Sequence, residues 1–214
     1  LVIMLEGAGH RPTNSHDGRT PNDLQALAAL SGLVPLVCLV MGASAGHGAL
    51  TAPMCDFVAM TKQAAIFAAG PPLVKAAIGE VVTKEALGGP DVHVMQSGLV
   101  HNLAEDDAAA IALARAYLSY FPGNAWDAAP MRDTGDIAPR RVDAVLDLVS
   151  PDPRIPFSMR QLVKLIADEG SVLEIQPQYG ASLVTALARL GGKSVAIVAN
   201  DPSVMAGAID AAAA

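Results

Sequence analysis

A glycine-rich turn near an apolar run is the feature of this sequence with the clearest chemical use. Residues 44–50 read SAGHGAL and follow the apolar run at residues 34–41. Glycines at such a place let consecutive backbone N–H groups approach a ligand oxygen without obstruction by side chains. A pair of such donors stabilises an enolate or a tetrahedral oxyanion. Glycines at strand ends also make simple tight turns, so the segment alone leaves both interpretations open.

Two further glycine turns also follow apolar runs. The sequence GAG at residues 7–9 follows the apolar residues 1–5, and GPP at residues 70–72 follows the short run at residues 64–67. The GPP segment is interpreted either as part of a binding pocket or as a simple change of chain direction. Arg11, just after the first turn, is a cation that would pair with a phosphate or with an acidic residue.

No side chain stands out as a nucleophile or a general base. The sequence contains no convincing Ser-His-Asp set, and Glu6 is the only acidic residue beside a glycine turn. Asp106 and Asp107 are adjacent, but the preference of a helix start for negative charge explains them. His93 and His101 flank a predicted turn and are interpreted as surface or loop histidines.

Continuous apolar runs indicate the strands that carry these turns. They predict strands at residues 1–5, 34–41, 56–60 and 64–67, covered on both faces as in a parallel sheet. Between them the pattern predicts helices at residues 22–31, from about Ala49, at 83–88, and at 104–121 with Asn102 as its cap. The alternation of strand, glycine turn and helix predicts an α/β fold.

The composition changes after residue 122. Six of the fifteen prolines fall between residues 122 and 156, which predicts an extended linker with a short structured turn near residues 141–148. Beyond it we predict a helix at 158–168, a strand at 172–175, and a hairpin of residues 183–190 and 194–199 around Gly191 and Gly192. The predicted organisation is a first domain at 1–122, a linker at 123–156 and a second domain at 157–214.

Charge and cysteine content narrow the functional classes. The net charge of −7 comes without clustered Lys and Arg, which argues against a nucleic-acid partner. No apolar run reaches the roughly 18 residues of a membrane span, and no signal peptide is visible, so we expect a cytoplasmic protein. Cys38 and Cys55 lie in apolar surroundings without metal-ligand spacing, which predicts buried reduced thiols and no metal in this chain. Both ends look cut, so we expect a fragment of a larger protein.

Seven segments in collinear order resemble the carboxyltransferase (beta) subunits of biotin-dependent acyl-CoA carboxylases, in the crotonase superfamily. These segments are GASAGHGALTAPMCDFV at residues 42–58, IFAAGPPLVKAA at 66–77, GGPDVH at 88–93, SGLVH at 97–101, AEDDA at 104–108, YGASLVT at 179–185 and VANDP at 198–202. Together they cover essentially the whole chain.

The resemblance implies a fold and a reaction. The fold is a crotonase (ClpP/crotonase-like) α/β fold of two similar domains, of which the second is incomplete here. The first domain would bind acyl-CoA and the second would bind carboxybiotin, at a subunit interface. The enzyme would remove the proton α to the thioester carbonyl and move CO₂ from biotin N1 to that carbon. The ureido group of biotin would accept the proton, so that no protein side chain is required as nucleophile or base.

The resemblance also assigns site residues. The expected catalytic residues are Gly46, His47 and Gly48, through their backbone amides, and the expected substrate-binding residues are Gly7, Ala8, Gly9, Arg11, Ala45, Gly70, Pro71 and Pro72. Two histidines depart from the family pattern: His47 interrupts a pair of glycines, and His10 replaces a small residue. His47 would either contact the substrate or cap the loop. The biotin-side donors of the family would lie beyond Ala214, so we expect the present chain alone to be inactive.

The cofactors and partners follow from the same resemblance. Biotin would be carried on a partner protein or domain, with a coenzyme A thioester as substrate. The partners would be biotin carboxylase and biotin carboxyl carrier subunits, and the protein would form a homo-oligomer, either a dimer of subunits or a trimer of dimers.

Three alternatives remain open at the level of sequence. A decarboxylase subunit of the same fold would run the reaction backwards, coupled to a membrane pump. A biotin-independent crotonase enzyme would place a Glu or Asp near the oxyanion loop, and Glu6 is the only such acid. A catalytically silent scaffold would lack the second-domain donors. The acyl group, whether acetyl, propionyl or longer, is not determined by this chain.

Overall fold

The computed structural model describes residues 1–7, 9, 23–136 and 140–214. These residues form two compact units. The first comprises residues 1–115 and 123–126, and the second comprises residues 116–122 and 127–214. Of the segment predicted as a linker, residues 123–126 group with the first unit and the other described residues with the second. The assignment of the predicted domains to acyl-CoA and to biotin stays a prediction.

The first unit is built on a parallel sheet in the strand order β1-β2-β3-β5, with β4 pairing a second part of β2. The strands are β1 Val2–Gly7, β2 Val37–Ala45, β3 Phe57–Thr61, β4 Ala65–Phe67 and β5 Asn102–Ala104. Every residue of β3 is buried, as are the first four residues of β2. The continuous apolar runs therefore predicted the central strands correctly, because both faces of these strands are covered.

The core of the first unit joins the sheet to the segments that cover it. Leu36, Val40 and Met60 are completely buried, and Val94 and Val100 pack into the same cluster. Burial of each such side chain stabilises the fold by about 1.5–3 kcal/mol. Cys38 and Cys55 belong to this cluster and are free thiols, which confirms the prediction of buried reduced cysteines.

The helices and strands of the first unit differ from the prediction in several places. They are α1 Asp23–Ala28, a 3₁₀ helix Gly46–Met54, α2 Pro71–Ile78, α3 Lys84–Gly88, α4 Pro90–His93 and α5 Asp107–Leu118. Helix α2 was missed, because its two leading prolines were interpreted as part of a pocket or of a turn, although proline is favoured in the first turn of a helix. Helix α5 is shorter than predicted. Strand β2 continues through residues 42–45, which were predicted as part of the turn.

The predicted cap of the long helix is wrong. Asn102 lies in β5, which pairs with β3, so it cannot begin a helix. The cap is Asp106, whose Oδ1 accepts a hydrogen bond from the backbone N–H of Ala109 at 2.8 Å. By contrast, the predicted Thr83 cap of α3 is confirmed, since its hydroxyl accepts from the N–H of Ala86 at 3.1 Å.

The second unit contains an antiparallel sheet in the order β6-β7-β8. Its elements are α6 Ala144–Leu148, α7 Met159–Ile166, β6 Leu173–Ile175, β7 Leu183–Leu190, β8 Lys193–Asn200 and a short 3₁₀ helix Met205–Gly207. Gly191 and Gly192 have φ angles of 58° and 77°. Two consecutive residues with positive φ make the turn that matches strand twist in a two-residue hairpin, so the predicted hairpin is confirmed.

Candidate active site

Three glycine turns of the first unit meet at one edge of its sheet. Strands β1, β2 and β4 are parallel, with Gly7 opposite Ser44 and Ala45 opposite Phe67. The segments that leave the carboxyl ends of these strands therefore lie side by side, which is where open α/β sheets bind ligands. These segments are the Gly9 turn (residues 7 and 9), the Gly46 turn (residues 45–48) and the Gly70 turn (residues 68–70).

The Gly46 turn ends β2 and begins a 3₁₀ helix. Ala45 is extended, with φ −121° and ψ 151°, and the helix starts at Gly46. Gly46 has a φ of 67°, a conformation that only glycine adopts at little cost. The first N–H groups of a helix have no carbonyl partner within it. In a 3₁₀ helix each N–H bonds to the carbonyl three residues earlier, so Gly48 is the first donor inside this helix, to the carbonyl of its N-cap Ala45. The amides of Gly46 and His47 are thus the ones that this helix leaves available for another acceptor.

Close backbone approaches fix how these turns meet. A Cβ atom added to Gly9 would lie 3.1 Å from the carbonyl oxygen of Ala45. One added to Gly46 would lie 3.9 Å from both the Cα of Gly9 and the carbonyl oxygen of Ala68. Gly46 therefore sits between the Gly9 turn and the Gly70 turn, so the structure brings together the described members of the three predicted segments.

Gly48 is confined from the other side. A Cβ atom there would lie 3.2 Å from the hydroxyl of Ser44 and 3.6 Å from the side chain of Leu5. Ser44 is itself buried. The space beside Gly48 is thus tight but able to accept a methyl group after a small shift of the hydroxyl.

The side chain of His47 makes a hydrogen bond to α1 rather than entering the turn. Its Nε2 lies 2.6 Å from Oδ1 of Asp23, at the start of α1, and half of the side chain is exposed. The hydrogen bond from His47 is the main cause that lowers the pKa of the Asp23 carboxyl, although burial opposes it. This contact fits the interpretation of His47 as a residue that holds the loop. Its catalytic assignment stays a prediction.

The Gly70 turn leads directly into α2. Gly70 precedes the first residue of the helix, Pro71, and its carbonyl oxygen accepts from the N–H of Leu73 at 2.9 Å. A Cβ atom on Gly70 would touch the ring of Phe67 at 3.4 Å. Pro72 follows in the first helical turn. The role of these residues in binding an acyl group stays a prediction.

Ala8 and Arg11, both predicted to bind substrate, and His10 lie outside the described residues. The side chain of Glu6, by contrast, packs against Gly42 in β2, four residues before the 3₁₀ helix starts at Gly46. A side chain at position 42 would collide with Glu6, whose Cγ and Cδ lie 2.7 Å from the position of a Cβ.

The two histidines interpreted as surface or loop residues are half-buried, and both bond to the backbone of other segments. His101 Nδ1 accepts a hydrogen bond from the N–H of Val58 at 2.8 Å, and its ring stacks on Phe57 with centroids 5.7 Å apart. Burial lowers the pKa of His101, against the opposing effect of the Asp56 carboxylate. His93 is also half-buried, and its Nε2 lies 2.9 Å from the carbonyl oxygen of Ile66. No local signal in the sequence identifies either partner, because both come from distant strands.

Within residues 1–7, 9, 23–136 and 140–214, no group of three or more His, Cys, Asp or Glu side chains is arranged to hold a metal ion. Among the helices described above, none has the length and apolar character needed to cross a bilayer.

Comparisons with known proteins identify the class. A model of the carboxyl transferase domain family matches residues 24–214. The structure is similar to a crystal structure of a transcarboxylase 12S hexamer with hydrolysed methylmalonyl-coenzyme A bound, with a TM-score of 0.82 and 38% identity over 88% of this chain and 37% of that one. A single-chain, multi-domain long-chain acyl-CoA carboxylase gives a TM-score of 0.81 and 32% identity over 100% of this chain and 21% of that one. The predicted crotonase-like α/β fold class is confirmed.

The chain belongs to the carboxyl transferase domain family. It is 40% identical to the methylmalonyl-CoA carboxyltransferase 12S subunit of Propionibacterium freudenreichii subsp. shermanii, over 85% of this chain and 34% of that protein. It is 36% identical to the methylmalonyl-CoA decarboxylase subunit alpha of Veillonella parvula, over 84% of this chain and 36% of that protein. The chain therefore spans about a third of the length of these relatives.

Proposed function

We propose that the protein to which this chain belongs transfers a carboxyl group from carboxybiotin to the α carbon of an acyl-CoA. In this reaction the C–H bond at the α carbon breaks, the bond between biotin N1 and the carboxyl group breaks, and a new carbon–carbon bond forms. The ureido nitrogen of biotin takes the proton. The costly species is the thioester enolate, whose oxygen carries the negative charge.

The observation that carries this proposal is the start of the 3₁₀ helix at Gly46. The amides at this helix start have no partner within the helix, and they lie where three turns meet at the carboxyl edge of the sheet. Two N–H donors on an enolate oxygen supply about 3 kcal/mol or more of transition-state stabilisation. The acyl-CoA would enter beside the Gly9 and Gly70 turns, with Gly7, Ala45, Pro71 and Pro72 as its neighbours.

Catalysis by main-chain groups also agrees with the side chains nearby. The imidazole of His47 is engaged with Asp23, and the side chain of Glu6 lies against Gly42, earlier along β2. Both of these described side chains are thus engaged elsewhere, and the proposal assigns proton transfer to the biotin ureido group. Biotin would be held on a separate carrier, and biotin carboxylase would supply its carboxyl group, so the working enzyme needs both partners and is expected to be a homo-oligomer.

A second candidate is the reverse reaction. The similarity to a methylmalonyl-CoA decarboxylase subunit alpha at 36% identity favours it specifically. The same amides would hold the same enolate in either direction, because the transition state is shared. The direction is then decided by what the partners do with carboxybiotin, and the acyl group ranges over the acetyl-CoA and propionyl-CoA types.

The test uses the full-length protein with its biotinylated carrier and a panel of acyl-CoAs. We expect fixation of labelled CO₂ into one or more acyl-CoAs that depends on biotin. Turnover that does not need biotin would reject the mechanism. Release of CO₂ from carboxylated acyl-CoAs, without fixation under any coupling to biotin carboxylase, would favour the decarboxylase.

His47 offers a matched pair of variants for the amide donors. His47→Pro removes one free N–H in the first helical turn, where proline is tolerated, and we expect kcat to fall about 10²- to 10³-fold. His47→Ala loses the same imidazole and its bond to Asp23 but keeps the N–H, so we expect a much smaller loss. Equal losses for the two variants would mean that the side chain, and not the amide, explains the effect.

A further inference from the structure

The outer edge of β4 is closed by a histidine that has no part in the chemistry proposed above. On its inner side β4 pairs with β2. On the other side the carbonyl oxygen of Ile66, a buried residue, lies 2.9 Å from Nε2 of His93, the last residue of α4. Because a carbonyl can only accept, the imidazole must carry its proton on Nε2 and donate it to Ile66.

Ser97 completes the orientation of this ring. Its Oγ lies 3.2 Å from Nδ1 of His93. In the tautomer with its only proton on Nε2, Nδ1 accepts from the hydroxyl, and both ring nitrogens then have a partner. The ring is thus fixed by two partners from different segments.

The backbone around His93 is held against the same carbonyl. A Cβ atom at Gly88 would overlap the carbonyl oxygen of Ile66 and would lie 3.2 Å from the ring of Phe67. The N–H of His93 donates to the carbonyl of Gly89 at 3.1 Å. The corner between α3 and α4 therefore presses on β4 at the point where the imidazole binds it.

Strand β4 in turn determines where the Gly70 turn lies. The chain leaves β4 at Phe67 and reaches Gly70 three residues later, and the carbonyl oxygen of Ala68 is 3.9 Å from the position of a Cβ on Gly46. A shift of β4 along its outer edge would change the spacing between the Gly46 and Gly70 turns. That spacing sets the room for the acyl group beside the amide donors.

We propose that His93 is a positioning residue, which holds β4 through Ile66 and thereby fixes the wall of the acyl-CoA site opposite Gly46. This inference rests on the proposed function, which identifies the three turns as the acyl-CoA site. Displacement of a binding wall by about 1 Å can cost a factor on the order of 10² in rate, even when the displaced residue never touches substrate.

Asparagine and glutamine at position 93 provide the test. In His93→Gln the side-chain amide N–H₂ reaches close to the place of Nε2 and can still donate to Ile66, whereas in His93→Asn the amide ends near the place of Nδ1 and cannot. In the full-length enzyme with its biotinylated carrier, we expect His93→Asn to raise KM for acyl-CoA about tenfold or more and leave KM for the carrier unchanged. We expect His93→Gln to stay within about threefold of the wild-type KM.

Other outcomes separate this inference from a loss of folded protein and from a failure of the proposed function. A smaller folded fraction would lower kcat and leave both KM values unchanged, and it would overturn the inference. Equal KM values for the two variants, or a wild-type KM in His93→Asn, would overturn it as well. A wild-type enzyme with no biotin-dependent activity would instead reject the proposed function.

Hydrogen–deuterium exchange gives a readout that needs no activity. We expect peptides covering residues 65–70 to exchange faster in His93→Asn than in His93→Gln, with α5 unchanged. Ser97→Ala keeps the donor to Ile66 and removes only the partner of Nδ1, so these peptides should exchange at an intermediate rate. Because this change is smaller, the variant should stay folded even if His93→Asn does not. Wild-type exchange at residues 65–70 in both His93→Asn and Ser97→Ala would overturn the inference.

Discussion

Gly46 is the residue at which backbone conformation and proposed chemistry coincide. Its φ of 67° costs a residue with a Cβ about 1–2 kcal/mol. We expect Gly46→Ala to lower the free energy of unfolding by about that amount, and to lower kcat strongly because the turn relaxes away from its amide geometry. Urea denaturation and steady-state kinetics of the full-length protein measure the two effects.

Gly32 is the control for this variant. It also has a positive φ, 75°, with no atom near the position of a Cβ, and it lies in the loop after α1. Gly32→Ala should therefore lose similar stability and keep wild-type kcat. If it loses as much activity as Gly46→Ala, then the activity follows stability alone and not the geometry of the turn.

His101 makes the stability of the first unit depend on pH. Burial lowers the pKa of its imidazole in the folded state below the ordinary value of 6.5. The folded state thus favours the neutral ring, whose Nδ1 accepts from Val58. As the pH falls below about 6.5, the unfolded chain binds the proton first, so stability declines and levels off once the folded state is protonated too. Denaturation at a series of pH values between 8 and 4 measures this.

An asparagine at position 101 isolates this contribution. The Oδ1 of Asn takes the place of Nδ1 and can accept from Val58 without titrating. We expect His101→Asn to flatten the decline of stability just below the ordinary histidine pKa, whatever its effect at pH 8. An unchanged slope in that range would assign the pH dependence to other groups.

Among the elements, helix α5 provides a direct comparison between the sequence interpretation and the structure. Because Asp106 is the cap, we expect Asp106→Ala to lower the free energy of unfolding by about 1 kcal/mol. Asp107 lies in the first turn and contributes only through the helix dipole, so Asp107→Ala should cost less, about 0.3–1 kcal/mol. Thermal denaturation would contradict the assignment if Asp107→Ala cost more.

An element could be predicted from the sequence when residues within it or next to it determine its structure. The hairpin of β7 and β8 was predicted because Gly191 and Gly192 specify their own turn. The extension of β2 to Ala45 was not, because its pairing with β4 is a tertiary contact across residues of ordinary turn composition. The same reason applies to Asn102, which looks like a helix cap until β5 pairs with β3.

The candidate site divides in the same way. Each of the three glycine turns was predicted by itself, because each follows an apolar run, whereas their meeting at one edge follows from the parallel pairing of the strands. The hydrogen bonds of His47 to Asp23 and of His93 to Ile66 were not predicted, because they join residues 24 and 27 positions apart. A side chain that acts through a distant backbone carbonyl has no spacing rule that reveals it.

At the scale of the whole molecule, Arg189 shows that the second unit extends well before residue 157. This buried guanidinium donates to the carbonyls of Pro130 and Gly192 at 2.9 and 3.0 Å, and to Ser119 at 2.5 Å. A lysine has a single nitrogen and cannot reach three carbonyls in this fork arrangement. We expect Arg189→Lys to destabilise the unit by about 2 kcal/mol or more, measured by urea denaturation.

The control for this prediction is another arginine of the same unit. Arg154 is exposed and pairs with Asp152. Arg154→Lys should change the free energy of unfolding by less than about 0.5 kcal/mol, since exposed ion pairs contribute little. Similar losses for the two variants would show that the residues before 157 are not tied to the sheet by Arg189.

Gly88 has a consequence for how tolerance to mutation would be interpreted in this protein. The overlap of any side chain at this position with the carbonyl of Ile66 means that a library of all single substitutions should retain glycine alone there. A mutational map would then score position 88 as strictly as Gly46, although it donates nothing to a ligand. Intolerance on such a map thus identifies residues that support the site as well as residues that would contact substrate, and only substrate-dependent measurements distinguish the two.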